Sequence, residues 1–365
     1  MKHIVIDGRK LSHTTGRYTR KLLDGLQDID KENKYTVLIN QEDESFWSPK
    51  PGSKNFTRTT VKYRHYSLNE QLGFALYLYR LKADLVHYTM PQQPLLYLKP
   101  TISTIHDLII LNFKNYGRSK ASFLFKQFVF RFFVAIIARK SKRVLTVSNY
   151  SNKDIVDYCR VNPRKVITTY AAADKISGKA KEFKPLIGKR FIFYVGNAHV
   201  HKNLDLLVKA MPSIVEQEPD LILAFVGKES VHHKKLKQSV PKELSENIMF
   251  TGFVDDLELK WLYENALAYT FPSLMEGFGL PGLEAMQHGL AVSSSNSSCL
   301  PEVYGDAAEF YDPNDPNDAA RAILRLVQSP KRRNELIKLG VQKASEYSWA
   351  KMSKQTLQQY LESIG

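Results

Sequence analysis

The stretch that most constrains the fold is Phe271 to Glu302, FPSLMEGFGLPGLEAMQHGLAVSSSNSSCLPE. It opens on the end of an apolar run, Leu267-Ala268-Tyr269-Thr270-Phe271, which predicts a buried strand. A loop follows in which Gly277 and Gly279 stand two residues apart. Pro281 suits the first turn of a helix, where its missing N–H costs nothing. Leu283, Ala285 and Met286 continue that helix, and Gly289 is placed to end it. Leu290-Ala291-Val292 then reads as the next strand.

This order of elements suggests a chemistry. Glycines let a backbone approach a ligand closely. A helix N-terminus offers unpaired N–H groups and partial positive charge, which favour phosphate. Glu276 falls in the loop and Glu284 in the first helical turn, so both can face a ligand at that end. Carboxylates do not bind phosphate, but they accept hydrogen bonds from hydroxyls. The combination suits a nucleotide sugar. The plainer alternative is that Glu276 caps a helix and Glu284 complements its dipole.

EGFGLPGLEA, followed by a small-residue strand and LPEVYGDAA, resembles the signature of retaining GT-B glycosyltransferases of family 4. That family includes many bacterial mannosyl- and glucosyltransferases. The resemblance implies an α/β architecture, the GT-B fold, with two Rossmann-like domains facing across a cleft. It implies that Glu276 contacts the donor sugar and Glu284 the nucleotide ribose. The resemblance extends over nearly the whole chain.

A chain of 365 residues exceeds the usual size of one core, so two domains are expected. Its 43% hydrophobic and 24% charged residues mark it as globular. The two cysteines, Cys159 and Cys299, suit a reducing compartment and offer no metal cluster. MKHIVIDGRK has no apolar core of a signal peptide and looks like a first strand, so a cytoplasmic chain is expected. The net charge of +15 is uneven: residues 1–170 hold 29 Lys/Arg against 13 Asp/Glu, and residues 171–365 hold 23 against 24. The first half alone is basic, which points to an anionic partner there.

Along the first half, strands are expected at Ile4–Ile6, Tyr35–Ile39, Ala83–Tyr88, Thr101–Ile105, Arg143–Ser148 and Lys165–Thr169. Thr15-Gly16-Arg17-Tyr18 leads into a helix with Tyr18, Leu22, Leu23 and Leu26 on one face. This resembles the family's N-terminal loop at the mouth of the cleft, which makes Gly16, Arg17 and Tyr18 candidates for acceptor binding. His106 stands at a strand end before Asp107-Leu108 and resembles the family's HDL segment, whose histidine comes close to the donor sugar. Its plainer reading is structural; His87 reads as packing. Ser148 belongs to a TVS segment that faces the cleft in the family, with Ser151 a plausible N-cap for the next helix.

Residues 118–143 are helical in length, rich in phenylalanine and followed by Arg139, Lys140, Lys142 and Arg143. The uninterrupted apolar part, Phe132 to Ala138, is far shorter than the roughly 20 residues of a membrane span. A buried helix or an interfacial one on anionic headgroups fits.

Residues 171–188 lack periodicity and read as a linker. The strand Arg190–Val195 then runs into Gly196. GNAHVHKNLDLLVKA resembles the family's diphosphate segment, and Lys202 matches its lysine. Asn197 and His201 stand where basic residues are often seen, so one positive charge near the diphosphate is missing or titratable. Phe253 lies in a turn that meets the nucleotide base in the family. Asp255-Asp256 reads as a cap. The expected boundaries are an acceptor-binding domain 1–170, the linker 171–188, a donor-binding domain 189–345 and a helix 346–365 crossing back.

The resemblance thus implies a retaining hexosyltransferase that needs no metal or other cofactor. His106, Glu276 and Lys202 are its catalytic candidates. Gly196, Asn197, His201, Lys202, Phe253, Glu276, Gly277, Phe278, Gly279, Leu280 and Glu284 are its donor-binding candidates. The donor is a GDP- or UDP-linked sugar. The acceptor is a glycan, lipid-linked on the reading from the basic half, at the inner face of the plasma membrane. Two rivals remain: a nucleotide-sugar epimerase or glycan phosphorylase of the same fold, and a basic membrane or nucleic-acid binding module. Nucleic acid is the less expected partner, since the glutamate pair and Lys202 are all present.

Overall fold

The computed structural model describes residues 1–13, 15–65, 67–113 and 120–365, with the side chains of 120–123, 125 and 126 also outside the description. The chain forms two units. One takes in Met1–Leu111, Lys120–Ala171 and Ser348–Gly365; the other takes in Ala172–Tyr347 with Asn112 and Phe113.

The first unit is built on seven strands: β1 (His3–Asp7), β2 (Lys34–Ile39), β3 (Phe56–Thr60), β4 (Leu85–Tyr88), β5 (Thr101–Thr104), β6 (Arg143–Thr146) and β7 (Val166–Thr168). They pair in the order β3-β2-β1-β4-β5-β6-β7, every pair parallel. The second unit carries β8 (Phe191–Val195), β9 (Ile222–Val226), β10 (Ile248–Gly252), β11 (Ala268–Phe271), β12 (Val292–Ser295) and β13 (Ala308–Tyr311). Their order is β10-β9-β8-β11-β12-β13, again all parallel.

Both orders are Rossmann orders. In each, the direction of winding reverses between two central strands, β1 and β4 in one sheet, β8 and β11 in the other. Open α/β sheets bind ligands beyond the carboxyl ends of such a pair. The central strands are continuous apolar runs because helices cover both faces; Phe191–Tyr194 and Ile222–Val226 are buried throughout.

The helix Trp349–Ile364 belongs to the first unit. It packs close to the helix Gly16–Ile29, where a Cβ on Gly25 would lie 2.2 Å from Ser353 Oγ. Tyr360 Oη and His87 Nδ1 are 2.6 Å apart, and His87 Nε2 meets Thr104 Oγ1 at 2.8 Å. At the carboxyl end of β1, the buried Arg9 guanidinium donates to both Asp7 oxygens (2.8 and 2.7 Å), to Glu70 (2.9 Å) and to the Tyr63 carbonyl (2.9 Å). Burial pushes the Asp7 carboxyl up, but Arg9 outweighs it and holds it below the usual range.

Several expectations shift. β3 went unseen because Phe56–Thr60 is a polar, threonine-rich edge strand with no apolar run. The helix expected over 118–143 is Lys120–Lys140, and residues 118 and 119 lie outside the described ones. The helix after Asn203 runs Leu204–Val215 with Pro212 inside its last turns. There, the missing proline N–H costs only one bond near a helix end. The N-cap of the helix Asn149–Cys159 is Ser148, whose Oγ accepts the Ser151 N–H at 3.1 Å; Ser151 is not the cap.

Candidate active site

In the second unit the loops after β8 and β11 meet at the winding reversal. Lys202, in a short 3₁₀ turn after β8, donates to Glu276 Oε1 at 2.7 Å. Both side chains are largely buried, 15% and 9% exposed. The Lys202 ammonium also lies 5.4 Å from the centre of the Phe271 ring at the end of β11. The two loops are joined by backbone as well, since Leu274 N–H donates to the His201 carbonyl at 2.8 Å. Asn203 adopts a left-handed conformation (φ 55°) and donates to the Pro272 carbonyl at 3.2 Å and the Pro313 carbonyl at 2.8 Å.

The Glu276 loop is laced by hydroxyls from the end of β12 and the residues just after it. Ser298 Oγ accepts the Glu276 N–H (3.0 Å), Ser297 donates to the Leu274 carbonyl (2.6 Å) and Ser295 to the Ser273 carbonyl (2.6 Å). Cys299 Sγ meets the Glu276 carbonyl at 3.2 Å. These holding residues were missed in the sequence, although the small polar tract SSSNSSC was the available signal. Small hydroxyl side chains can reach a neighbouring backbone without filling the space a ligand needs.

The helix after the loop is Leu280–Gln287, with Gly279 as its N-cap at φ +99°. A Cβ there would lie 2.6 Å from Tyr304 Oη, which itself donates to the Gly279 carbonyl at 2.6 Å. Glycine is therefore required twice over, by the dihedral and by the space. Phe278 packs edge-on against Tyr347 at 5.3 Å. The first N–H groups of the helix follow directly on Gly279, the kind of helix end that suits an anion.

Glu284 does not sit in the first helical turn as expected: the helix starts at Leu280, and no acidic residue lies in its first turn. Its carboxylate instead accepts the Tyr263 hydroxyl at 3.3 Å. The Tyr263 ring stacks on His288 at 4.9 Å and 14°. His288 Nε2 accepts the Ile176 N–H (3.2 Å), so the proton is on Nδ1, which donates to the Glu284 carbonyl (2.8 Å). Tyr263 and His288 are two further residues the sequence reading missed; nothing in the local motif marks them.

At the end of β8, Tyr194 Oη donates to the Asn197 carbonyl at 2.7 Å. A Cβ on Gly227 would lie 2.2 Å from the Gly196 carbonyl oxygen, so the ends of β8 and β9 approach only because residue 227 has no side chain. Burial, with Lys202 adding to it, lowers the His201 pKa to about 4, so this ring is neutral at pH 7. Lys202 rather than His201 carries positive charge in this segment. Phe253, 78% exposed beyond β10, lies near a chamber of about 270 Å³ lined by Gly227, His233 and Phe250.

The remaining candidates belong to the first unit. Tyr18 meets His106 edge-on at 4.8 Å. Burial lowers the His106 pKa to about 4 against a backbone hydrogen bond to Thr89, and its Nε2 is buried without a hydrogen-bond partner. Thr89 therefore takes Nδ1–H and leaves Nε2 as an acceptor. Gly16 opens its helix with Leu11 O only 2.0 Å from where a Cβ would stand, and Arg17 follows it. Ser148 Oγ is committed to its capping bond.

Two parallel-sheet domains of Rossmann order, the second with a lysine–glutamate pair and a glycine-capped helix at its winding reversal, have the α/β architecture of the GT-B fold. The profile described as Glycosyl transferases group 1 matches residues 178–343, and that of Glycosyltransferase Family 4 matches residues 15–174. The chain is 30% identical over 276 residues to O-antigen chain mannosyltransferase B of Escherichia coli, spanning 72% of this chain and 70% of that one. It is 27% identical to the serotype-specific mannosyltransferase WbdA of E. coli over 68% of this chain, and spans about a third (32%) of that relative. Among solved structures, sucrose-phosphate synthase of Thermosynechococcus elongatus superposes with a TM-score of 0.76 over 99% of both chains at 17% identity, a likeness of fold. The chain belongs to glycosyltransferase family 4, the group 1 glycosyltransferases.

Proposed function

We propose that this chain transfers a hexose, mannose before glucose, from a nucleotide-diphosphate sugar to a glycan acceptor with retention of anomeric configuration. The observation that carries the reading is the Lys202–Glu276 pair at the winding reversal of the second domain. Lys202 is the cation for the leaving diphosphate, with the helix end at Gly279 and the amides of Gly277 and Gly279 beside it. Glu276 positions the sugar through its hydroxyls, and Glu284 holds the ribose. The base lies towards Phe253. Attack comes from the same face as departure: the C–O bond to the diphosphate breaks, the acceptor oxygen bonds to the anomeric carbon, and the departing phosphate oxygen takes the hydroxyl proton. Lys202 and the amides supply the charge compensation that a divalent ion would otherwise supply, so transfer persists in excess chelator. His106 Nε2 accepts a hydrogen bond from a sugar hydroxyl.

The first domain binds the acceptor through Gly16, Arg17 and Tyr18. The acceptor is lipid-linked, and the basic first domain rests on an anionic membrane. Among the described residues no helix is long and apolar enough to cross a membrane. The curated relatives' names, O-antigen chain mannosyltransferase among them, favour mannose and surface polysaccharide synthesis. Melting curves with GDP, UDP and ADP test the donor site, because a ligand of the folded state raises the melting temperature. A rise with GDP and turnover of GDP-mannose are expected. No rise with any nucleotide, and no turnover of GDP-mannose or UDP-glucose, would overturn the reading.

A further inference from the structure

Two helical segments of the first domain turn apolar stripes to solvent. Leu68, Leu72 and Leu76 recur every four residues along the segment that runs through the π-helical turn Glu70–Phe74 into the helix Ala75–Arg80, and they are 82%, 56% and 59% exposed. On the helix Lys120–Lys140, Leu124, Phe128 and Phe132 repeat the spacing at 49%, 68% and 59%. Residues four apart share one helix face. Single exposed leucines are ordinary; two aligned rows are not.

A pocket of about 220 Å³ is formed from both segments. Leu68 and Gln71 line it from one, Val129, Phe130 and Phe133 from the other, and Pro91 from the loop after β4. Its walls are tied to one residue of that loop. Leu95 N–H donates to Gln71 Oε1 at 2.9 Å, and the Leu95 carbonyl accepts from Lys140 Nζ at 2.9 Å. These two bonds tie both segments to the loop after β4.

The stretch of chain that carries both segments is cationic. Residues 61–143 hold 14 Lys/Arg and only 3 Asp/Glu. One of those carboxylates, Glu70, is buried against Arg9. Lys62, Arg64, Arg80, Lys82 and Arg131 are all exposed. Apolar stripes on a stretch of chain this rich in cations complement a hydrocarbon chain with an anionic head.

We propose that this pocket holds the hydrocarbon chain of the acceptor's lipid carrier while the two leucine and phenylalanine stripes lie on the anionic bilayer. The inference rests on the lipid-linked acceptor reading above and adds to it a site for the chain itself. The chain bound to the protein buries apolar surface on Val129 and Phe133 that water otherwise covers.

The probe is dodecyl phosphate below its micelle concentration, titrated calorimetrically into the whole protein, with inorganic phosphate as the head-only arm. Saturable binding of dodecyl phosphate and none of phosphate are expected. Val129→Trp fills the pocket and weakens dodecyl phosphate at least about tenfold; Val129→Met, a smaller filling, weakens it less and serves if the tryptophan fails to fold. Leu72→Glu with Leu76→Glu removes sedimentation with phosphatidylglycerol vesicles and leaves dodecyl phosphate bound. Absence of saturable binding in the unsubstituted protein, or binding indifferent to both Val129 variants, overturns the proposal. Nucleotide melting shifts on the same samples separate the two readings. Shifts without lipid binding sink the pocket alone, and lipid binding without shifts sinks the donor site alone.

Discussion

Lys202 and Glu276 lie 74 positions apart in the chain and 2.7 Å apart in space, one on the loop after β8 and the other on the loop after β11. An ammonium has three N–H donors, so Lys202 can hold Glu276 with one and turn another to a diphosphate, while the paired carboxylate is held in one orientation for a sugar. Lys202→Ala or Glu276→Ala should lower transfer at least about a hundredfold, the scale of losing one preorganised charge at a reacting centre. Near-normal turnover by either variant would remove both from the site.

The same pair predicts a stability pattern. Each single variant leaves the other group short of its partner and should cost about 1–3 kcal/mol in urea unfolding. Lys202→Met with Glu276→Gln should cost less than the sum, since neither charge is then left over. Strict additivity would mean that the bond contributes nothing to folding.

Glu284 is positioned from behind by the Tyr263 hydroxyl. Glu284→Gln should weaken nucleoside diphosphate binding about tenfold, or about 1.4 kcal/mol. Tyr263→Phe keeps the ring stacked on His288 and deletes only the donor, so it should raise the donor KM with little change in kcat. A kcat effect without a KM effect would contradict that role.

Acid should destabilise the protein in a defined window. Burial lowers His87 to about 3 and His106 and His201 to about 4, against 6.5 for an open histidine. Between pH 6.5 and about 4 the unfolded chain therefore binds more protons than the folded one, and stability falls as pH falls. The melting temperature should drop steadily across that range. His87→Asn should flatten part of the slope if the ring is the titrating group, and an unchanged slope would exclude it.

Gly279→Ala should be poorly tolerated. Its φ of +99° and the Tyr304 hydroxyl 2.6 Å from the new Cβ both oppose it. A loss of about 1–3 kcal/mol is expected from the strained dihedral alone, with nucleotide binding lost in parallel as the helix end shifts. Gly188→Ala, also at positive φ (+72°) but with open space around it, should cost less.

Much of this fold is legible in the sequence because its central strands are apolar on both faces. FIFYV announces itself; FTRTT, an edge strand half in water, does not. The site was legible where a motif fixes the backbone, as in EGFGLPGLEA, and less so where contacts come from afar. Glu284 falls one residue beyond the first turn, because Pro281 marks that turn without saying which residue opens it. The partners of Glu284 come from a different helix and from His288, whose role depends on the Ile176 backbone 112 positions away. No local pattern encodes such distances. His201 could be read as titratable from sequence, but its neutrality follows from burial that only the folded chain reveals.

The helix Trp349–Ile364 has a consequence for how the protein is made. It completes a domain whose other parts lie before residue 172, so the ribosome delivers the second domain whole while the first still lacks a wall. Until Tyr360 emerges, His87 Nδ1 lacks its partner and Gly25 faces an unfilled groove. The second domain can fold on the ribosome as a unit, whereas the first must wait, exposed, for its own final piece. Truncation before residue 349 should therefore leave Ala172–Tyr347 folded and send the first domain to aggregates or proteolysis.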